Sequence, residues 1–283
     1  MEKITIQHVS DTALWVAYYR FTESQQAKPL FNDPFAGLLI GGRGKEIAES
    51  MKETSKYTRW SVVTRTHIID NYIESLVKEG IDAVINLGTG LDTRPYRMNL
   101  PKSLHWIEVD FPHVIEHKQK ILKNETPRVQ LERISLDLSS DNERRKMFAD
   151  LGKRFKKVLI LTEGVLPYLS EDQVAVLARD LKEQSSFRYW IAEYFSADIY
   201  RYFKRSRRMH KLKNAPFVFF PHDWFKFFAD HGWQKNQVRY LAEESQKLGR
   251  PMPMPWWTFI LKPFLKGARF TQQMGYVIFK PLE

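Results

Sequence analysis

The sequence predicts an α/β fold on a mostly parallel sheet, and three observations carry that prediction. From residue 80 to residue 195, short apolar runs alternate with stretches of helical periodicity. That is the pattern of parallel strands joined by crossover helices. One apolar run ends in a loop holding Gly88 and Gly90, at the carboxyl end of a strand where open α/β sheets receive ligands. Residues before 80 read as helix, and the last third is less regular. The chain therefore divides into an N-terminal helical cap (1–79), a core (80–195), and a lid-like insertion with closing strands (196–283), all within one domain.

Residues 11–79 look helical throughout. Ile69, Ile73 and Leu76 fall at helical spacing, and Gly80 follows as a plausible C′ glycine. Strands are predicted over 83–88, 104–110, 129–135, 157–163 and 187–195, the fourth being the most apolar. Helices fall near 113–123, 141–152 and 171–184. The last opens with Ser170 followed by Gln173, a capping-box pattern. Residues 196–216 are basic and aromatic, and 222–233 read as a short aromatic helix. Prolines at alternate positions exclude a helix interior from 251–257. Residues 275–280 read as a closing strand.

Composition narrows the function classes. With 283 residues, 43% apolar and 27% charged, the chain can build a core that needs no covalent staples. Cysteine is absent, which excludes disulfides, thiolate metal sites and cysteine nucleophiles. No run approaches the length of a membrane span, and the first residues lack the apolar region of a signal peptide. These features lead to the expectation of a soluble cytoplasmic protein. The net charge of +11 is uneven, with seven Lys or Arg between Arg201 and Lys213. Such a run suits either an anionic partner or a solvated helix face.

The strongest chemical signal is the segment NLGTGLDTRPYR, residues 86–97. Its glycines allow a tight turn and a close approach of backbone to ligand. A dinucleotide site would place a third glycine where Thr93 stands, and Pro95 follows it, so the loop is a poor pyrophosphate cradle. A nucleoside cofactor without phosphates has no such need. The next strand ends in Glu108-Val109-Asp110, with Asp110 twenty residues beyond Gly90. An ionised carboxylate there can accept both hydroxyls of a ribose.

These residues resemble the leucine carboxyl methyltransferase family, including its bacterial branch of S-adenosylmethionine-dependent methyltransferases. The matching segments are DTALWVAYYR (11–20), LFNDPFA (30–36), NLGTGLDTRPYR (86–97), EVDFPHVIEHK (108–118), ISLDL (134–138) and LTEGVLPYL (161–169). The resemblance implies a class I methyltransferase sheet, Rossmann-like, of seven strands with the last antiparallel. It implies S-adenosyl-L-methionine as cofactor. It also assigns roles: Gly88 against the methionine part, Asp110 at the ribose, and Asp137 with Leu138 at the adenine. Glu163 would meet the methionine ammonium and Arg65 the methionine carboxylate. From the residues alone, Asp137 could instead cap a turn before Ser139, and Asp92 could pair with Arg94 to stiffen the loop. Arg65 would pass for a solvated helix arginine. Glu163 follows apolar residues closely, and a carboxylate there needs a partner.

Methyl transfer asks the protein for positioning and a water-poor pocket. A carboxylate acceptor needs no base, whereas a hydroxyl benefits from one. His67, His113, His117 and His222 are candidates, none of them preferred, so no catalytic residue is assigned. His113 and His117 lack the acid of a zinc motif and read as a surface face, so no metal site is expected. Tyr200, Tyr202, Phe203, Phe217, Phe219 and Phe220 could wall an acceptor pocket. The expected acceptor is a small molecule with a carboxylate or hydroxyl, with no membrane partner. A tRNA substrate addressed by the basic run, an NAD-dependent oxidoreductase and a non-catalytic cofactor-binding protein are the alternatives.

Overall fold

The computed structural model describes residues 9–50, 55–205, 216–253 and 268–283. Seven strands form one sheet: β1 (Ala83–Leu87), β2 (His105–Asp110), β3 (Gln130–Ser135), β4 (Val158–Thr162), β5 (Phe187–Phe195), β6 (Trp233–Tyr240) and β7 (Met274–Pro281). Their order across the sheet is β3-β2-β1-β4-β5-β7-β6. β1 to β5 pair in parallel, and β7 runs antiparallel to both of its neighbours. This is the seven-stranded arrangement with an antiparallel last strand that the resemblance implies.

The central strands β1 and β4 are buried along their whole length, which is why they read as near-continuous apolar runs rather than alternating ones. From β1 the chain moves outward through β2 and β3. It then returns to β4 and continues the other way to β5. The reversal lies between β1 and β4, so the loops leaving their carboxyl ends flank the crevice that such a switch opens. The loop after β1 carries Gly88, and the turn after β4 carries Glu163.

Three long helices precede the sheet: α1 (Val9–Ser24), α2 (Pro34–Ser50) and α3 (Ser55–Lys78). The expectation of continuous helix over 11–79 is therefore corrected. Residues 25–33 are a loop in which Pro29 lacks an amide donor, and α2 is kinked at Gly41, whose φ is +54°. The loop is built around Asp33. It accepts from Ala36 N at 3.0 Å, the first turn of α2, and from Thr93 Oγ1 at 2.6 Å. Along α3, Ile69, Ile73 and Leu76 are buried as their spacing predicts. Gly80 closes it with φ +87°, while Ile81 N reaches back to Leu76 O at 3.3 Å, the bond that a left-handed C′ residue permits.

The crossover helices are α5 (Pro112–Ile121), α6 (Asp141–Arg154) and α7 (Glu171–Lys182), with a four-residue α4 (Arg94–Arg97) after the glycine loop. The capping box of α7 is present in both directions, Gln173 N to Ser170 Oγ and Ser170 N to Gln173 Oε1. Beyond β5 lie α8 (Ala197–Arg205), α9 (Trp224–Asp230) and α10 (Leu241–Lys247). The sequence reading missed β6, whose pattern is mostly exposed. As an edge strand it pairs, among the described residues, only with β7, so it shows little of the apolar signal of a buried strand. Around Trp190, fully buried on β5, pack Phe228, Trp233 and Phe279. No helix among the described residues is long and apolar enough to cross a membrane.

Candidate active site

A cavity of about 560 Å³ opens above the switch point, within the range of small-molecule sites. Its walls include Arg65, Gly88, Asp110, Asp137, Leu138 and Glu163. The six positions come from four separate strand ends and a helix of the N-terminal cap, yet they meet in this one space.

The glycine loop is shaped by the strand ladder and by its own side chains. Gly88 N and Thr89 N both donate to Val109 O, at 2.8 and 3.2 Å. Asn86 Nδ2 donates to Thr89 Oγ1 and to Asp92 Oδ2. Gly88 has φ +64°, a region costly for any side chain. A Cβ there would lie 2.5 Å from Val165 Cγ2. The close approach that requires glycine is thus made by Val165, from the turn after β4, and not only by a ligand as the loop pattern suggested.

Asp110 ends β2 with both oxygens engaged. Oδ2 accepts from Gly90 N at 2.6 Å and Oδ1 from Phe111 N at 2.7 Å. Each oxygen keeps a second lone pair. Burial pushes its carboxyl above the ordinary carboxylate value, and the two amide donors pull the other way. Asp137 is exposed, and its Oδ1 accepts from Ser139 N at 2.9 Å. It caps the turn and lines the cavity at once.

Glu163 finds the partners its position demands. Arg65 Nε lies 2.9 Å from its Oε1, and Arg94 Nη1 lies 2.8 Å from its Oε2. Arg65 is therefore no solvated helix arginine. Burial drives the Glu163 carboxyl up, but the Arg94 and Arg65 charges outweigh it and hold it below the ordinary carboxylate value. Arg94 also pairs with Asp92 and with Asp70, both at 2.7 Å. Asp70 in turn holds Arg97 at 2.7 Å. Thr93, where a dinucleotide site would have glycine, is fully buried against Asp33. Arg20 bonds Asp33 at 2.8 Å and donates to Leu91 O. Four arginines and four acids thus form one largely buried chain beneath the glycine loop. The sequence hinted only at its Asp92–Arg94 link; Arg20 and Asp33 stand in DTALWVAYYR and LFNDPFA, segments noted for resemblance but not for a role.

Glu108 shares a sheet face with Asp110, as alternation predicts, but it serves a different end. Lys118 Nζ at 2.6 Å and Arg133 Nε at 2.8 Å neutralise it inside the protein.

The other side of the cavity is apolar: Trp15, Val16, Tyr57, Tyr168, Leu169, Phe195, Phe217 and Met274. Of the aromatic residues expected to wall an acceptor pocket, Phe217 lines the cavity. Tyr200 and Phe219 are instead buried in the main core, and Phe220 packs against that core. The side chains of Tyr202 and Phe203, and those of the basic run from Lys204 to Lys213, lie outside the described residues, as does the stretch 254–257. None of the described residues lining the cavity is a histidine. His113 is exposed and stacks on Phe111, and His117 is exposed on α5. Among the described residues no group of three or more His, Asp or Glu is placed to hold a metal ion.

The chain is 30% identical over 258 residues to a Frankia alni protein named "Putative S-adenosyl-L-methionine-dependent methyltransferase", covering 86% of this chain and 90% of that one. It is 30% identical over 271 residues to a Mycobacterium marinum protein of the same name, covering 87% of each. Among solved structures it is similar to a DUF574 family protein from Streptomyces avermitilis, with TM-score 0.61 and 17% identity over 95% of this chain and 97% of that one. A Thermobifida fusca structure described as a "putative methyltransferase" superposes with TM-score 0.58 and 16% identity, over 87% and 92%. At those identities the structures speak for the fold alone. The model of the leucine carboxyl methyltransferase family matches residues 13–182, which hold the cap, the glycine loop, Asp110, Asp137 and Glu163, and the chain belongs to that family.

Proposed function

We propose that this methyltransferase uses S-adenosyl-L-methionine to methylate an oxygen of a small acceptor, a carboxylate being the best fit. The observation that carries the cofactor assignment is that Arg65, Gly88, Asp110, Asp137, Leu138 and Glu163 line one cavity. S-adenosylmethionine brings a methyl group already activated by a sulfonium, so the protein's task is placement and exclusion of water. In this reading Asp110 uses its free lone pairs on the ribose hydroxyls, and Asp137 with Leu138 borders the adenine. The Gly88 loop runs along the methionine portion. Arg65 and Glu163 take its carboxylate and ammonium.

Two features support the acceptor class. The apolar walls suit an aliphatic or aromatic body. The described lining offers no histidine, and its Asp92 and Glu163 are held ionised by arginines. Such a site favours an acceptor that arrives ionised, and a carboxylate does so near neutral pH.

The test is calorimetric titration with S-adenosylhomocysteine, with NADH as control, followed by transfer of labelled methyl to a panel of carboxylic acids, phenols and tRNA. Stoichiometric binding of the first ligand and ester formation on carboxylic acids is the expected result. Methylation confined to phenols or tRNA would overturn the acceptor reading. Binding of NADH alone would overturn the cofactor reading.

A further inference from the structure

Behind the cavity floor lies a carboxyl that none of these roles uses. Phe195 on β5 stands opposite Met274 on β7, and both line the cavity. Two residues back on the same face, Glu193 stands opposite Tyr276. The parallel register that pairs Leu161 with Ile191, carried two residues on, brings Glu163 alongside Glu193. Glu193 is 2% exposed. Its Oε1 accepts from Val165 N at 3.0 Å, the residue whose side chain stands against Gly88. Its Oε2 is buried and has no hydrogen-bond partner among the described residues.

The groups acting on this carboxyl come from every element around it. The charges of Arg65, on α3, and of Glu163, at the end of β4, act on it. Tyr276 faces it from β7, Tyr200 from α8 and Tyr168 from the short 3-10 turn Leu166–Tyr168. The charge of Arg65 thus acts on two acids that differ in kind. Glu163 is held ionised by two guanidinium groups. Glu193 is pushed by burial up to about 7, with Arg65 pulling against that rise, so it exchanges its proton near neutrality.

We propose that Glu193 is a positioning residue for the amino-acid end of the cofactor: protonated, it anchors the Val165 turn and leaves Arg65 to the cofactor's carboxylate, and ionised, it competes for Arg65. The inference rests on the proposed contact between Arg65 and that carboxylate. It has a directional consequence. Affinity for ligands carrying the carboxylate falls as pH rises through neutrality, and affinity for the nucleoside part alone does not.

The experiment is calorimetry at about pH 6 and about pH 8.5 with two probes, S-adenosylhomocysteine and 5′-methylthioadenosine, which lacks the amino-acid end. Wild-type protein is expected to lose about tenfold in affinity for the first, the effect of one unit of pKa displacement on binding, and nothing for the second. Glu193→Gln keeps an amide oxygen for Val165 N and cannot ionise, so it should bind S-adenosylhomocysteine equally at both pH values. A wild type without pH dependence, a wild type in which both probes weaken together, or a Glu193→Gln variant that weakens as the wild type does would each overturn the proposal. The two-probe wild-type measurement decides the matter even if the variant fails to fold. Arg65→Gln separates the two layers. If it binds S-adenosylhomocysteine normally, the Arg65 contact itself is wrong. If it binds weakly while the wild type is flat with pH, only the role of Glu193 fails.

Discussion

Arg65 Nε lies 2.9 Å from Glu163 Oε1, so the two residues assigned to opposite ends of a zwitterion face each other directly. The contact is ionic rather than a directed hydrogen bond, because Arg65 Nε has no hydrogen-bond partner among the described residues. A ligand carrying both a carboxylate and an ammonium can divide such a pair without leaving either charge uncompensated. Glu163→Gln should therefore weaken S-adenosylhomocysteine by roughly tenfold or more, in line with about 1.5–3 kcal/mol for a hydrogen bond to a charged group. Affinity for 5′-methylthioadenosine should hold. Calorimetry with both ligands checks this, and an equal loss for both would remove Glu163 from the amino-acid end.

Arg94 is the hub of the buried charge chain, 2% exposed and paired with Asp70, Asp92 and Glu163. Arg94→Met would leave the buried Asp70 and Asp92 and the partly buried Glu163 short of a partner, a loss of about 3–5 kcal/mol by analogy with other broken buried pairs. The pH dependence has a definite sign. All three carboxyls are lowered, burial opposing and the Arg94 or Arg97 charges prevailing. Their stabilisation is present above the unfolded carboxylate value and is lost as pH falls through the lower folded values. The gap in melting temperature between wild type and variant should thus be wide at neutral pH and narrow in acid. A gap that stays constant with pH would show that the loss is one of packing instead.

Much of this was legible in the sequence, for reasons that differ between elements. β1, β4 and β5 announce themselves because buried strands must be apolar on both faces. The N-terminus of α7 was readable from Ser170 and Gln173, since a capping box is a local device. Six residues named from a family pattern now share one cavity. What stayed hidden depends on long-range contact. Nothing local tells that Val165 fills the space above Gly88, 77 positions earlier in the chain. The register that sets Glu193 beside Glu163 exists only once β4 and β5 pair. The break at 25–33 was masked by helical residues on either side, and β6 by its exposed edge.

Gly88 and Val165 should behave as a coupled pair. Gly88→Ala forces a side chain into φ +64° and to within 2.5 Å of Val165 Cγ2. The first effect costs about 1–2 kcal/mol, and the overlap adds about 1–3 kcal/mol. Val165→Ala removes the overlap but not the backbone strain. A double-mutant cycle in chemical denaturation should recover about 1 kcal/mol or more as coupling. Strict additivity would mean that backbone conformation alone excludes a side chain at position 88.

Asp110 separates ligand contact from loop support. Asp110→Asn keeps an oxygen for one of the two amides of Gly90 and Phe111 but removes the charge. Asp110→Ala releases both amides. If the carboxylate serves the ribose, the Asn variant should already lose most of the affinity for S-adenosylhomocysteine while melting closer to wild type than the Ala variant does. Loss confined to the Ala variant, in step with a lower melting temperature, would assign Asp110 to the loop alone.

Phe217 offers the cleanest handle on the acceptor. It lines the cavity, meets Tyr168 edge-on with ring centroids 5.2 Å apart, and lies 6.3 Å from Phe195. Both of those rings stand with it on the apolar side of the cavity. Phe217→Ala should therefore widen the apolar side of the cavity and leave affinity for S-adenosylhomocysteine within about twofold, a change of about 0.4 kcal/mol. Its effect belongs in the choice among acceptors: bulkier carboxylic acids should gain in kcat/KM relative to small ones, because the removed ring no longer limits their body. A uniform fall for all acceptors would place Phe217 in closure of the site, and weakened cofactor binding would place it in the fold that supports Tyr168.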